Sequence, residues 1–120
     1  MKTILLIEDS ATERRVLEST LQSSGWTVLH AEDGEMGLRR VQQERPDVVL
    51  LDVVLPGQNG FQICRRIKRD EETRNIKVVI LSSKNLESDR YWGLKQGADA
   101  YLTKPVDEIL LQDTLRGLLP

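Results

Sequence analysis

Val48-Val49-Leu50-Leu51-Asp52, near the middle of the chain, is four apolar residues closed by a carboxylate. The run has strand length and does not alternate with polar residues, which is the pattern of a strand covered on both faces. Two more runs share it, Ile4 to Ile7 and Val78 to Leu81, both rich in β-branched residues. The three read as central parallel strands. Val28 to Ala31 and Ala100 to Thr103 mix polar and apolar positions, as strands do where neighbours cover them less completely, and read as edges.

Helical signals fill the intervals. Ser10 can cap a first helix, with Glu13 three residues on completing a capping box and Gly25 stopping it after about Ser24. Asp33 caps a second helix that ends before Pro46. Asn59 precedes a third, whose apolar stripe is Gly60, Ile63, Cys64 and Ile67. A fourth spans roughly Leu86 to Gln96 and stops at Gly97, and a fifth follows Pro105 and Asp107 with Leu111, Leu115 and Leu118 on one face. Five repeats of strand then helix require right-handed crossovers and a parallel sheet between helical layers. Three central and two edge strands fit the order 2-1-3-4-5, so the expected class is α/β, a flavodoxin-like doubly wound (βα)5 fold.

At 120 residues the chain is read as one domain, residues 1–120, with no linker, repeat or low-complexity stretch. A net charge of -2 offers no broad positive field for a nucleic-acid backbone, so direct nucleic-acid binding is not expected. The single cysteine, Cys64, cannot close an internal disulfide, and the apolar run Ile4 to Ile7 is far too short for a signal peptide or a membrane span. A reduced, cytoplasmic protein without membrane attachment is expected.

In open sheets of this class ligands bind beyond the carboxyl ends of the strands. Here those ends carry Glu8 and Asp9, Asp52, Ser82, and Lys104 followed by Pro105. Carboxylates gathered at one rim repel, two unit charges about 4 Å apart by roughly 4 kcal/mol at an effective dielectric near 20. Lys104 offsets part of this, and hard oxygen ligands in a solvated acidic cluster suit Mg²⁺. Asp52 is then placed to attack a phosphoryl group, with the metal, Lys104 and the Ser82 hydroxyl holding the transferring oxygens.

Glu8-Asp9, Asp52 within LLDVVLPGQNG, Ser82 within VVILSS, and Lys104-Pro105 within ADAYLTKP together resemble the response regulator receiver family, and the likeness covers essentially the whole chain. The resemblance implies a CheY-like two-component switch rather than an enzyme, catalysing only its own phosphotransfer and slow autodephosphorylation. It implies Asp52 as phosphoacceptor, Asp9 and Asp52 as Mg²⁺ ligands, Glu8 acting through water and the Val54 carbonyl as a further ligand. Ser82 and Lys104 would bind the phosphoryl group, Tyr101 would be the switch aromatic moving into space behind the fourth strand, and the Lys104-Pro105 bond would be cis. The implied donor is a histidine kinase or phosphotransfer protein. The implied output is a target protein on the face of the fourth helix, fifth strand and fifth helix. The segment SDRYWGLKQGADAY is similar to receivers of pilus-motility and phototaxis clusters.

Two other classes compete. A hydrolase working through an aspartyl phosphate usually carries a second acid two residues past the nucleophile, where this chain has Val54. A phosphorylation-independent scaffold would be favoured by a broken acidic site, and every part is present. The chain stops at Leu119-Pro120, directly after the fifth helix, which fits either action by binding alone or a piece of a longer regulator. His30 has no second histidine with which to share a metal, Cys64 reads as packing, and Gly57 and Gly60 follow Pro56 in a turn that is no dinucleotide fingerprint. Arg65, Arg66, Lys68 and Arg69 read as a solvated face. Trp92 fits core and surface equally.

Overall fold

The computed structural model describes residues 2–119. The three apolar runs and the two mixed segments form one parallel sheet of β1 (Thr3–Ile7), β2 (Thr27–Ala31), β3 (Val48–Asp52), β4 (Lys77–Ser82) and β5 (Ala100–Thr103). Their spatial order is β2-β1-β3-β4-β5, as the pattern of central and edge runs requires. Helices α1 (Ala11–Ser23), α2 (Gly34–Glu44), α3 (Gly60–Arg69), α4 (Glu87–Lys95) and α5 (Glu108–Leu118) make the crossovers. Among the described residues no helix is long and apolar enough to cross a membrane.

Strand side chains alternate between faces, so one apolar run feeds two cores. Ile4, Leu6, Val48 and Leu50 point to the side closed by Leu17 and Leu21 of α1 and Leu111 and Leu115 of α5. Leu5, Ile7, Val49 and Leu51 point to the other, against Val41 of α2 and Ile63 and Ile67 of α3. Side-chain caps start the helices as expected: Asp33 Oδ1 accepts from the Met36 N–H at 2.8 Å, and Asn59 Oδ1 from the Phe61 N–H at 2.8 Å.

Four details depart from the sequence reading or sharpen it. A two-residue hairpin, Val54–Leu55 with Gln58–Asn59, follows β3; Pro56 and Gly57 turn it, with Gly57 at φ 68°, a region open to glycine. The capping box of α1 is only half made. Ser10 Oγ accepts from the Glu13 N–H at 3.3 Å, but the Ser10 N–H donates to Glu8 Oε2 at 3.2 Å, because the Glu13 carboxylate is drawn away to Lys104. Lys68 is not part of a solvated face: its ammonium lies 2.8 Å from Asp99 Oδ2 and donates to the carbonyls of Arg74 and Ile76. Trp92 resolves to the surface at 53 % exposure, beside an equally exposed Tyr91.

Cys64 is fully buried in the α2/α3 core, and burial pushes its thiol up to about 12. The thiolate is the reactive form, so iodoacetamide at pH 8 is expected to leave the folded protein unmodified and to label it once urea unfolds it. Modification of folded and unfolded protein at equal rates would contradict this packing. Because the folded value lies above the ordinary value of 9.0, the thiol's contribution to stability is intact below that pH and is lost as pH climbs toward about 12.

Candidate functional site

The rim is assembled by register. Ile7 pairs with Leu51, Asp52 with Leu81 and Ser82 with Thr103, so the four strands end in step. Glu8 follows Ile7 and Lys104 follows Thr103, and the Lys104 N–H donates to the Ser82 carbonyl at 2.8 Å, continuing the ladder past the strand ends. The Lys104-Pro105 bond is cis. Gly60, the first residue of α3, lies hard against the backbone of Asp52: a methyl group there would sit 2.3 Å from the Asp52 carbonyl oxygen. Only glycine lets α3 start so close to the end of β3.

One ammonium serves three carboxylates. Lys104 Nζ lies 2.7 Å from Glu8 Oε1, 3.0 Å from Glu13 Oε2 and 3.1 Å from Asp52 Oδ2. Asp52 is therefore held at both oxygens, since Oδ1 accepts from the Val54 N–H at 3.1 Å. Glu8 is only 2 % exposed; burial pushes its carboxyl up to about 7 against the hydrogen bonds from Lys104 and the Ser10 N–H. Burial works to lower the Lys104 ammonium, but its hydrogen bonds to Glu8, Glu13 and Asp52 outweigh that and hold it above the usual lysine range.

Glu13 is the member that sequence reasoning missed. The spacing assigns it to the capping box of Ser10, yet an acid in the first turn of the helix leaving an acid-tipped strand overhangs the same rim, and that is the available signal. Asp9 stands on an exposed turn and is not among the acids whose oxygens come within 4.8 Å of one another, which are Glu8, Glu13 and Asp52. Those three offer only oxygen donors around a positive charge, a set that fits a hard cation such as Mg²⁺. Val54 bears an exposed apolar side chain beside the acceptor candidate.

Ser82 is fully buried, and its Oγ accepts from the Lys84 N–H at 3.1 Å. Tyr101 already occupies the space behind β4: the residue is 2 % exposed and its hydroxyl donates to the Lys84 carbonyl at 2.8 Å. Burial pushes the Tyr101 hydroxyl up, while the neighbouring Ser82 side chain pulls the other way. The residue pair Ser82 and Lys84 thus links Tyr101 to the acidic rim.

Residues 4–116 match the family model of the response regulator receiver domain. The chain is 48 % identical over 119 residues to Protein PilH of Pseudomonas aeruginosa, covering 99 % of this chain and 98 % of that one. A putative response regulator from Chloroflexus aurantiacus superposes with a TM-score of 0.94 at 30 % identity, covering 98 % of this chain and 97 % of that one. The chemotaxis response regulator CheY4 of Vibrio cholerae superposes at 0.92 with 28 % identity, covering 99 % of each chain. The chain belongs to the response regulator receiver domain family, the phosphoryl-accepting switches of two-component systems.

Proposed function

We propose that Asp52 is the phosphoacceptor. A carboxylate oxygen of Asp52 forms a bond to the phosphorus of the donor, a phosphohistidine of a kinase or phosphotransfer protein. The P–N bond breaks, and its electron pair stays on the imidazole. The observation that carries this reading is the convergence of Glu8, Asp52 and Lys104 at one rim with the buried Ser82 at the adjoining strand end. Lys104, already on Asp52, neutralises charge that builds on the transferring oxygens, and the Ser82 hydroxyl, whose oxygen accepts from the Lys84 N–H, has its own hydrogen to donate to a phosphoryl oxygen. Mg²⁺, when bound, supplies a second centre of positive charge for those oxygens; Glu8 and Asp52 would hold it, with Asp9 and the Val54 carbonyl as the further ligands that the family resemblance implies. An apolar side chain at Val54 leaves no general base two residues past the acceptor, which favours a switch over a hydrolase.

Incubation with acetyl phosphate and Mg²⁺, followed by intact mass, tests the reading. One slowly lost phosphoryl group per chain is expected. Rapid multiple turnover would point to the hydrolase, and no addition to a scaffold.

The readout is a shift between two packings joined through Ser82, Tyr101 and the face of α4, β5 and α5, where a target protein binds. The phosphoryl group brings about 1.5 to 2 negative charges and strong acceptor oxygens, enough to draw the Ser82 hydroxyl to it. Ser82→Ala is therefore expected to weaken coupling more than labelling. Beryllofluoride on Asp52 should move NMR signals of α4 and β5 in the parent and far less in Ser82→Ala; equal movement would contradict coupling through Ser82.

A further inference from the structure

Helix α4 is held to the body in an unusual way. Of its nine residues, Glu87 to Lys95, only Gly93 is buried, while Tyr91, Trp92 and Leu94 face solvent. A helix normally docks through a stripe of large apolar side chains. This one docks through a bare Cα, and what it rests on is the ring of Tyr101. A methyl group on Gly93 would lie 2.7 Å from Tyr101 Cδ2, 3.1 Å from Cε2 and 3.2 Å from Ile80 Cδ1. The same ring is gripped on its other sides by the Lys84 carbonyl at 2.8 Å from its hydroxyl and by the Arg90 guanidinium, 5.7 Å from the ring centroid.

We infer that Gly93 is a positioning residue: its missing side chain is the seat for the inward ring of Tyr101, and through that seat the placement of α4 follows the ring. The inference deepens the switch described above and rests on it for its signalling role, although the seat itself is a packing property of the chain. When the ring is in, α4 has a surface to lie on. When the ring leaves, α4 loses the one place where it is buried, and the exposed Tyr91 and Trp92 move with it. A side chain at position 93 disfavours the inward ring and so uncouples the helix from the site.

Two measurements test this. The first is a urea-unfolding cycle of Gly93→Ala in the parent and in a Tyr101→Val background; valine suits an edge strand and lacks the ring carbons that the new methyl would meet. In a helix interior, replacing glycine with alanine ordinarily stabilises. The expected result is a lower urea midpoint for Gly93→Ala in the parent and a higher one in the Tyr101→Val background. A rise of equal size in both backgrounds would overturn the seat, and this arm is independent of any phosphorylation. The second uses a Trp26→Phe variant, in which Trp92 is the remaining tryptophan, with beryllofluoride and Mg²⁺ and with binding followed by fluorine NMR. Gly93→Ala is expected to bind beryllofluoride and lose the Trp92 emission change. Binding with an undiminished change would overturn the coupling. Failure of the parent to bind beryllofluoride would instead count against Asp52 as acceptor, and the urea cycle alone would then decide the seat.

Discussion

Asp52→Asn is expected to take up no phosphoryl group from acetyl phosphate and Mg²⁺ while its fold and urea midpoint are unchanged or improved. An amide oxygen is a far poorer nucleophile than a carboxylate, yet asparagine can still accept the Val54 N–H that fixes the side chain. The charge balance favours the variant. Three carboxylates surround one ammonium, and removing one leaves Lys104 with Glu8 and Glu13, both within 3.0 Å. The like-charge repulsion that the site carries is reduced. Intact mass and urea titration check both halves; full labelling of the variant would mean that another acid is the acceptor.

Lys104→Met is expected to be costly in the opposite sense. Breaking a buried pair by removing one partner typically costs roughly 3–5 kcal/mol, because the remaining charge stays buried without compensation. Glu8, at 2 % exposure, is that charge. The pH dependence has a definite sign. The Glu8 carboxyl already sits at about 7, above its ordinary value of 4.5, so its contribution to stability is intact below pH 4.5 and is lost as pH rises through about 7. Without Lys104 only the Ser10 N–H opposes the burial that raises it, and the loss grows and extends to higher pH. Urea midpoints at pH 5 to 8 in EDTA are therefore expected to fall more steeply with pH in Lys104→Met than in the parent. Equal midpoints at pH 8 would show that Lys104 does not offset the cluster.

Sheet order, helix caps and strand ends were legible in the sequence because each rests on local chemistry. A four-residue apolar run without alternation, rich in β-branched residues, has the length and composition of a strand covered twice, and Asp33 or Asn59 at a helix start can be recognised within three residues. The acid-and-lysine rim was legible for the same reason, once five strand ends were known to share one edge. What escaped depends on distances between segments far apart in the chain. Whether the Glu13 carboxylate turns back to its own helix or across to Lys104 is decided by a residue 91 positions away. The importance of Gly93 lies in the Tyr101 ring that presses on it, and a glycine inside a helical pattern carries no sign of that. Lys68 looked solvated because its partners, Asp99 and the carbonyls of Arg74 and Ile76, come from the connections to β4 and β5.

The most direct test of the acceptor assignment is localisation of the phosphoryl group. The protein is treated with acetyl phosphate and Mg²⁺, the acyl phosphate is trapped by borohydride reduction, and the modified residue is found by tandem mass spectrometry. Modification of Asp52 alone is expected. Modification of Glu8, Asp9 or Glu13 in its place, or of no residue, would contradict the account of the site.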